Sequence, residues 1–259
     1  MLNTLNNNAE VQEFEQWWLP QPKNFTLVEN EVHVWLANLD HEIFALPKFL
    51  RELSLSERER AQRLRFDHDR RRFVVAKGIL RQILGRYLGV APHDILFSTG
   101  ASGKPELSRR MPIRHGTMHF NQAHSGYFGI FAFCRGRHVG VDVEEIRPFP
   151  DLDQLAEVLF SPGELDRFRR LSQEERNHEF FSGWTIKEAF VKALGQGLTL
   201  PLNHFEVAGV GGYLGRIVQN HQHPPRLLDW YVQEIPMSSP FAAAVCAKGE
   251  GWKLRCCKW

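Results

Sequence analysis

No apolar run in the chain approaches the length that crosses a bilayer, so no membrane span is expected. Net charge is almost absent: 32 Lys and Arg against 30 Asp and Glu leave +2. No overall field then draws the chain to nucleic acid or to an anionic membrane. Cysteine is scarce. Cys134, Cys246, Cys256 and Cys257 show no metal-ligand spacing, and the adjacent pair is a poor disulfide framework. A reducing cytoplasm is the expected setting. The opening MLNTLNNNAE has neither a basic region nor an apolar core, so it is not expected to be a secretory signal. A phosphate-binding P-loop is missing too: Lys104 in SGKP lacks the glycine spacing and the following Ser or Thr.

What remains is an ordinary globular composition: 259 residues, 43% hydrophobic and 24% charged, enough for a sizeable core and one or two domains. Residues 1–30 read as an irregular arm, broken by Pro20 and Pro22, with Trp17 and Trp18 to pack it down. Glu31 to Leu39 alternates at period two and predicts the first strand. Ser54 to about Leu88 reads as helix, opened by a Ser54/Glu57 capping box. It carries Arg58, Arg60, Arg63, Arg65, Arg70, Arg71 and Arg72. Such a run is either a solvated basic face or a pocket for anionic groups. As a nucleic-acid surface it lacks interleaved aromatics.

Ser98 to Pro105 is turn-rich and predicts a loop. Tyr127–Phe133 and His138–Glu144 read as two strands joined across Cys134–Arg137. Ser161-Pro-Gly-Glu164 starts a helix, and Glu164 is either its cap or a functional acid. Short strands follow, clearest at Leu227–Glu234 and Phe241–Ala247, with Trp252–Trp259 as an edge.

The chain is organised around Ser172 to Gly195. A Ser172/Glu175 capping box and a Gly195 stop delimit one long helix. Phe180, Trp184, Val191 and Leu194 share a face, and Trp184, Glu188 and Lys192 form a ladder along its flank. Alone, the Glu188/Lys192 pair is an ordinary surface ion pair; a metal-and-phosphate site is the sharper reading. A shift of 110 residues lays Lys77, Leu84 and Gly85 on Lys187, Leu194 and Gly195, so one helix–turn–strand unit is used twice.

In HVGVDVE, the valines 139, 141 and 143 point to a core while Asp142 and Glu144 stand together on the other face. Two such carboxylates repel unless a cation lies between them. Oxygen-only ligands suit Mg²⁺, and Glu188 is the obvious third acid. His124, read as a loop residue, is a phosphate ligand when cationic, a general base, or a structural histidine.

Taken in order, GKP at 103–105, FNxxHS at 120–125, VGVDVE at 139–144, FSxxE at 160–164 and WxxKEAFxK at 184–192 form a recognisable set. The chain resembles the 4′-phosphopantetheinyl transferases of the larger, pseudo-dimeric Sfp type. The resemblance implies an α/β (α+β) fold of two similar halves, 1–125 and 126–259, related by a pseudo-twofold, with the active site at their interface. It implies transfer of 4′-phosphopantetheine from coenzyme A to a serine of an acyl or peptidyl carrier protein, releasing 3′,5′-ADP. Asp142, Glu144 and Glu188 match the Mg²⁺ ligands, a site that Mn²⁺ also suits. Glu188 matches the general base, and Asp142 and Lys192 complete the catalytic set. Arg60, Lys104, Asn121, His124, Ser125, Lys187 and Lys192 match coenzyme A contacts. Ala123 stands where the family often has serine, which removes one hydroxyl contact. A duplicated chain needs no second copy, so a monomer is expected, with neither nucleic acid nor membrane as partner. The alternative is a paralogue that holds coenzyme A or another nucleotide without turnover.

Overall fold

The computed structural model describes residues 16–22, 25–100, 103–111, 117–195, 200–209, 215–219 and 229–259. Strand β1 is Glu31–Asn38, and the short helix α1 is Leu46–Glu52. The predicted 54–88 helix is two helices, α2 (Leu55–Gln62) and α3 (Asp67–Leu88), separated where Phe66 turns extended. Asp67 and Asp69 in the first turn of α3 favour a fresh N-terminus there, because carboxylates stabilise the positive end of a helix. A hairpin of β2 (Phe97–Thr99) and β3 (Pro105–Leu107) holds the predicted loop.

Strand β4 spans Met118–Ser125, so FNQAHS is strand and His124 is not the loop residue expected. Strands β5 (Phe128–Arg135) and β6 (Val139–Glu145) follow as predicted. Helices α4 (Leu152–Leu159), α5 (Pro162–Arg169) and α6 (Gln173–Leu194) come next. The chain ends in β7 (Phe205–Ala208), β8 (Gly215–Gln219), β9 (Trp230–Glu234), β10 (Phe241–Lys248) and β11 (Lys253–Lys258). Strand β9 starts later than its predicted Leu227; residues 227 and 228 lie outside the described residues.

Two main sheets run in the orders β11-β1-β5-β4 and β6-β10-β9-β8-β7. The division at 125/126 therefore falls inside the β4–β5 hairpin. The first sheet extends to Arg135 and takes back β11, which pairs in parallel with β1. Strands β5 and β6 follow each other in the chain but belong to different sheets.

Alternation explains the layers. Val32, Val34 and Leu36 of β1 meet Val139, Val141 and Val143 of β6 in a core between the sheets. Trp35 and Ala37, on the opposite face of β1, pack under α3 with Ile79 and Ile83. Ala244 and Cys246 of β10 pack under α6 with Ala189, Phe190 and Ala193. The order is helix, sheet, sheet, helix, which is the expected pair of similar α/β halves. At the start of the chain only half of the expected anchor holds. Trp18 is buried with its indole N–H on Pro236 O at 2.8 Å, while Trp17 is exposed.

The repeat has a different register from the one the sequence suggests. Helices α3 and α6 both have 22 residues and both end at a left-handed glycine, Gly89 and Gly195, an offset of 106. The offset of 110 holds only beyond the helices. Ile95 and Phe205 there accept bonds from Arg81 and Lys187, which are themselves 106 apart. A four-residue slip is close to one helical turn, so it leaves the apolar face in place and is invisible to periodicity.

Candidate active site

Helix α6 lies against the face of β6 that carries Gly140, Asp142 and Glu144. A Cβ on Gly140 would fall less than 3.0 Å from Ala189 O and Ala193 N, so only glycine lets the helix backbone settle here. That approach sets Glu188 and Lys192 over the two strand carboxylates. The deepest side chains of α6 include Lys187, Ala189, Phe190 and Ala193; Trp184 and Leu194 of the predicted face are only half-buried.

Asp142 is 3% exposed, and its Oδ1 accepts a bond from Lys192 Nζ at 2.5 Å. Burial pushes its pKa up to about 7 in spite of Lys192; Glu144 and Glu188 add to the rise. Glu188 is also raised, first by desolvation, with Lys192 opposing and Glu144 reinforcing. The three acids and Lys192 thus feel one another across the β6–α6 contact. Among the described residues, no three His, Cys, Asp or Glu side chains close to metal-holding distance. The Lys192 ammonium takes the counter-ion place on Asp142, as neighbouring carboxylates need a cation between them. The donors nevertheless fit a hard divalent cation. All are carboxylate oxygens, and Asp142 Oδ2 and Glu188 Oε1 are buried with no hydrogen-bond partner.

Opposite α6, the β4 face that carries Phe120 beneath α3 also carries His124. Desolvation lowers the His124 pKa, and Lys192 and Lys77 lower it further, so cations from both halves converge on this ring. Lys77 on α3 was not singled out as a site residue from the sequence. It is buried, with its ammonium 5.9 Å from the Phe73 ring centroid, and desolvation brings its pKa down to about 8. Exposed Arg60 sits over the same ring at 5.7 Å. The signal was in the sequence, as a lysine on the buried side of an otherwise apolar turn, Val74 to Leu80. Lys192, Lys77 and Arg60 supply positive charge around His124, an arrangement suited to an extended polyanion.

Four predicted contacts are engaged elsewhere. Lys187 is 1% exposed inside the second half and donates to Glu164 Oε2 at 2.6 Å and to the carbonyls of Leu159, Leu202 and Phe205. Its three N–H groups are shared among these four acceptors, which leaves none for a ligand and corrects its reading as a coenzyme A contact. Glu164 is both the α5 cap, through Ser161 N at 2.9 Å, and the anchor for Lys187. Arg81 repeats this strut in the first half, bonded to Glu57 and to the carbonyls of Pro92 and Ile95. Lys104 also departs from its reading: its Nζ donates to Val139 O at 2.9 Å and Lys192 O at 2.7 Å, tying the hairpin to β6 and α6. Asn121 Oδ1 accepts from Val141 N at 2.9 Å, and Ser125 Oγ donates to Glu144 Oε2 at 2.8 Å.

The helix register also shows why the two halves differ. The offset of 106 places Gln82 where α6 has Glu188, and Arg86 where it has Lys192. Gln82 is buried and gives its amide to both oxygens of Glu52. The first half thus retains the helix framework and lacks a counterpart to Glu188.

Comparison with known proteins agrees with these halves. Residues 43–135 match the family model "4′-phosphopantetheinyl transferase, N-terminal", and residues 138–246 match the 4′-phosphopantetheinyl transferase superfamily model. The chain is 37% identical to the 4′-phosphopantetheinyl transferase HetI of Nostoc sp. over 236 residues, 91% of this chain and 95% of that protein. It is 29% identical to the 4′-phosphopantetheinyl transferase Sfp of Bacillus subtilis over 204 residues, 77% and 84% of the two chains. A solved holo-(acyl-carrier-protein) synthase from Bacillus anthracis, in complex with CoA (3′,5′-ADP), is 18% identical. It covers 44% of this chain and 96% of that one, with a TM-score of 0.35. With HetI matched along nearly its whole length, the chain belongs to the 4′-phosphopantetheinyl transferase superfamily.

Proposed function

We propose that the chain transfers 4′-phosphopantetheine from coenzyme A to a serine hydroxyl of an acyl or peptidyl carrier protein, releasing 3′,5′-ADP. The observation that carries this is the close approach of α6 to β6 at Gly140, which puts Lys192 on Asp142 Oδ1 and leaves Asp142 Oδ2 and Glu188 Oε1 buried without a hydrogen-bond partner. An acid set facing a polyanion site needs both a metal and a phosphate ligand, and coenzyme A brings the phosphates. Asp142, Glu144 and Glu188 would hold Mg²⁺, or Mn²⁺ in its place. When bound, the ion supplies charge neutralisation at the pyrophosphate and its leaving group.

The chain's own residues do the rest. Lys192 donates to a phosphate oxygen, having a long stem and one carboxylate partner to exchange. Lys77 and Arg60 hold the remaining phosphate charge, and the His124 ring N–H donates to a phosphate oxygen, which together fix the donor's orientation. Glu188, with its carboxylate raised by desolvation, accepts the serine proton as the serine oxygen bonds to the β-phosphorus. The bond from that phosphorus to the ADP-side oxygen breaks at the same centre. A monomer working in a reducing compartment suits a chain that has both halves and four buried free cysteines.

The test is incubation with coenzyme A, Mg²⁺ and a panel of apo carrier proteins, read by intact-protein mass. One carrier is expected to gain a phosphopantetheine; coenzyme A binding with no modified carrier in any arm would favour a binding-only paralogue instead.

A further inference from the structure

Strand β6, which carries two of the three acids, uses one edge to pair with β10. Its other edge faces β4 of the first half, yet β4 and β6 share no main-chain ladder. Three side chains take the place of that ladder. Lys104 Nζ donates to Val139 O at 2.9 Å, Asn121 Oδ1 accepts from Val141 N at 2.9 Å, and Ser125 Oγ accepts from Glu145 N at 3.1 Å. They meet β6 at its start, middle and end. Only odd-numbered residues are involved, as expected if the even-numbered ones turn their main-chain groups to β10.

Ser125 does one thing more. While its oxygen accepts from Glu145 N, its hydroxyl proton goes to Glu144 Oε2 at 2.8 Å. One side chain from the first half thus fixes both the backbone and the carboxylate at the end of the acid-bearing strand. A carboxylate held at one oxygen by a hydroxyl has a defined rotamer and leaves its other oxygen, Oε1, for a cation. Outer partners of this kind typically change metal affinity by about 10–100-fold when removed.

We propose that Ser125 is a positioning residue that sets divalent-metal affinity through Glu144, and not a coenzyme A ligand. The proposal rests on the metal-holding role given to Asp142, Glu144 and Glu188 above. It makes the seam between the halves, and not the second half alone, responsible for the shape of the metal site.

The test uses the full chain and Mn²⁺, with free Mn²⁺ followed by electron paramagnetic resonance. Coenzyme A affinity is measured separately by calorimetry in EDTA. Ser125→Ala is expected to weaken Mn²⁺ binding about 10–100-fold while coenzyme A affinity in EDTA holds. Ser125→Thr, which keeps the hydroxyl, is expected to bind Mn²⁺ like the parent. If Ser125→Ala fails to fold, Ser125→Cys replaces it, with similar volume and a far weaker donor. Wild-type Mn²⁺ affinity in Ser125→Ala or Ser125→Cys, or a loss of coenzyme A affinity in EDTA instead, overturns the proposal. Glu144→Gln separates the two levels: if it too retains Mn²⁺ binding, the metal assignment fails; if it alone loses binding, only the role of Ser125 fails.

Discussion

Replacing Gly140 by alanine adds one methyl group at the point where the two acid-bearing elements touch. That methyl would stand less than 3.0 Å from Ala189 O and Ala193 N, whereas ordinary contact begins at 3.4 Å. Both atoms belong to the backbone of α6, so no side chain can swing aside, and the helix must retreat by ~1 Å. Overpacking of this kind costs ~1–3 kcal/mol of stability. The effect on chemistry is larger, since Glu188 and Lys192 ride on the same helix. A misplacement of ~1 Å lowers turnover by about 100-fold. The assay is a pair: thermal melting for the fold, and mass-detected carrier modification for the rate. The expected result is a folded protein with a modest loss in Tm and a turnover near one hundredth of the parent. A Gly140→Ala protein with parental turnover would refute the claim that close helix–strand approach assembles the site.

Lys187→Met is expected to destabilise by about 3–5 kcal/mol, because it strands the Glu164 carboxylate beside three carbonyls. Chemical denaturation checks this, and adding Glu164→Gln is expected to recover part of the loss. Lys77, with its pKa near 8, loses its charge as pH rises through that value, so the KM for coenzyme A is expected to climb above pH 8. Lys77→Arg should hold the low KM to higher pH; an unchanged profile in that variant removes Lys77 from the phosphate site.

The legible part of this chain was what depends on local spacing. Alternation in HVGVDVE separated Asp142 and Glu144 from the valines, and the structure keeps that separation. The capping boxes at Ser54, Ser161 and Ser172 all form as read. What stayed hidden depends on which element meets which. Lys104, Asn121 and Ser125 sit in motifs that look like ligand contacts, but each bonds to the backbone of β6 in the other half, Lys104 also to Lys192 O and Ser125 also to the Glu144 carboxylate. No spacing within the chain reveals that edge. His124 reads as a loop residue ahead of the Tyr127 strand, whereas it lies on β4, whose Asn121 and Ser125 face the seam with β6. The repeat was legible and its register was not, since Gly85 and Gly89 both fit a helix stop and only the left-handed backbone at Gly89 decides between them.

The proposed function requires one divalent ion, held by side chains from β6 and α6 in one of the two similar halves. The most direct measurement is the number of Mn²⁺ ions bound per chain in the presence of coenzyme A, for the parent and for Glu188→Gln. One ion for the parent and a strong loss in the variant is the predicted result, since Gln82 leaves the first half without its counterpart acid. Two ions per chain, or parental affinity in Glu188→Gln, would contradict it.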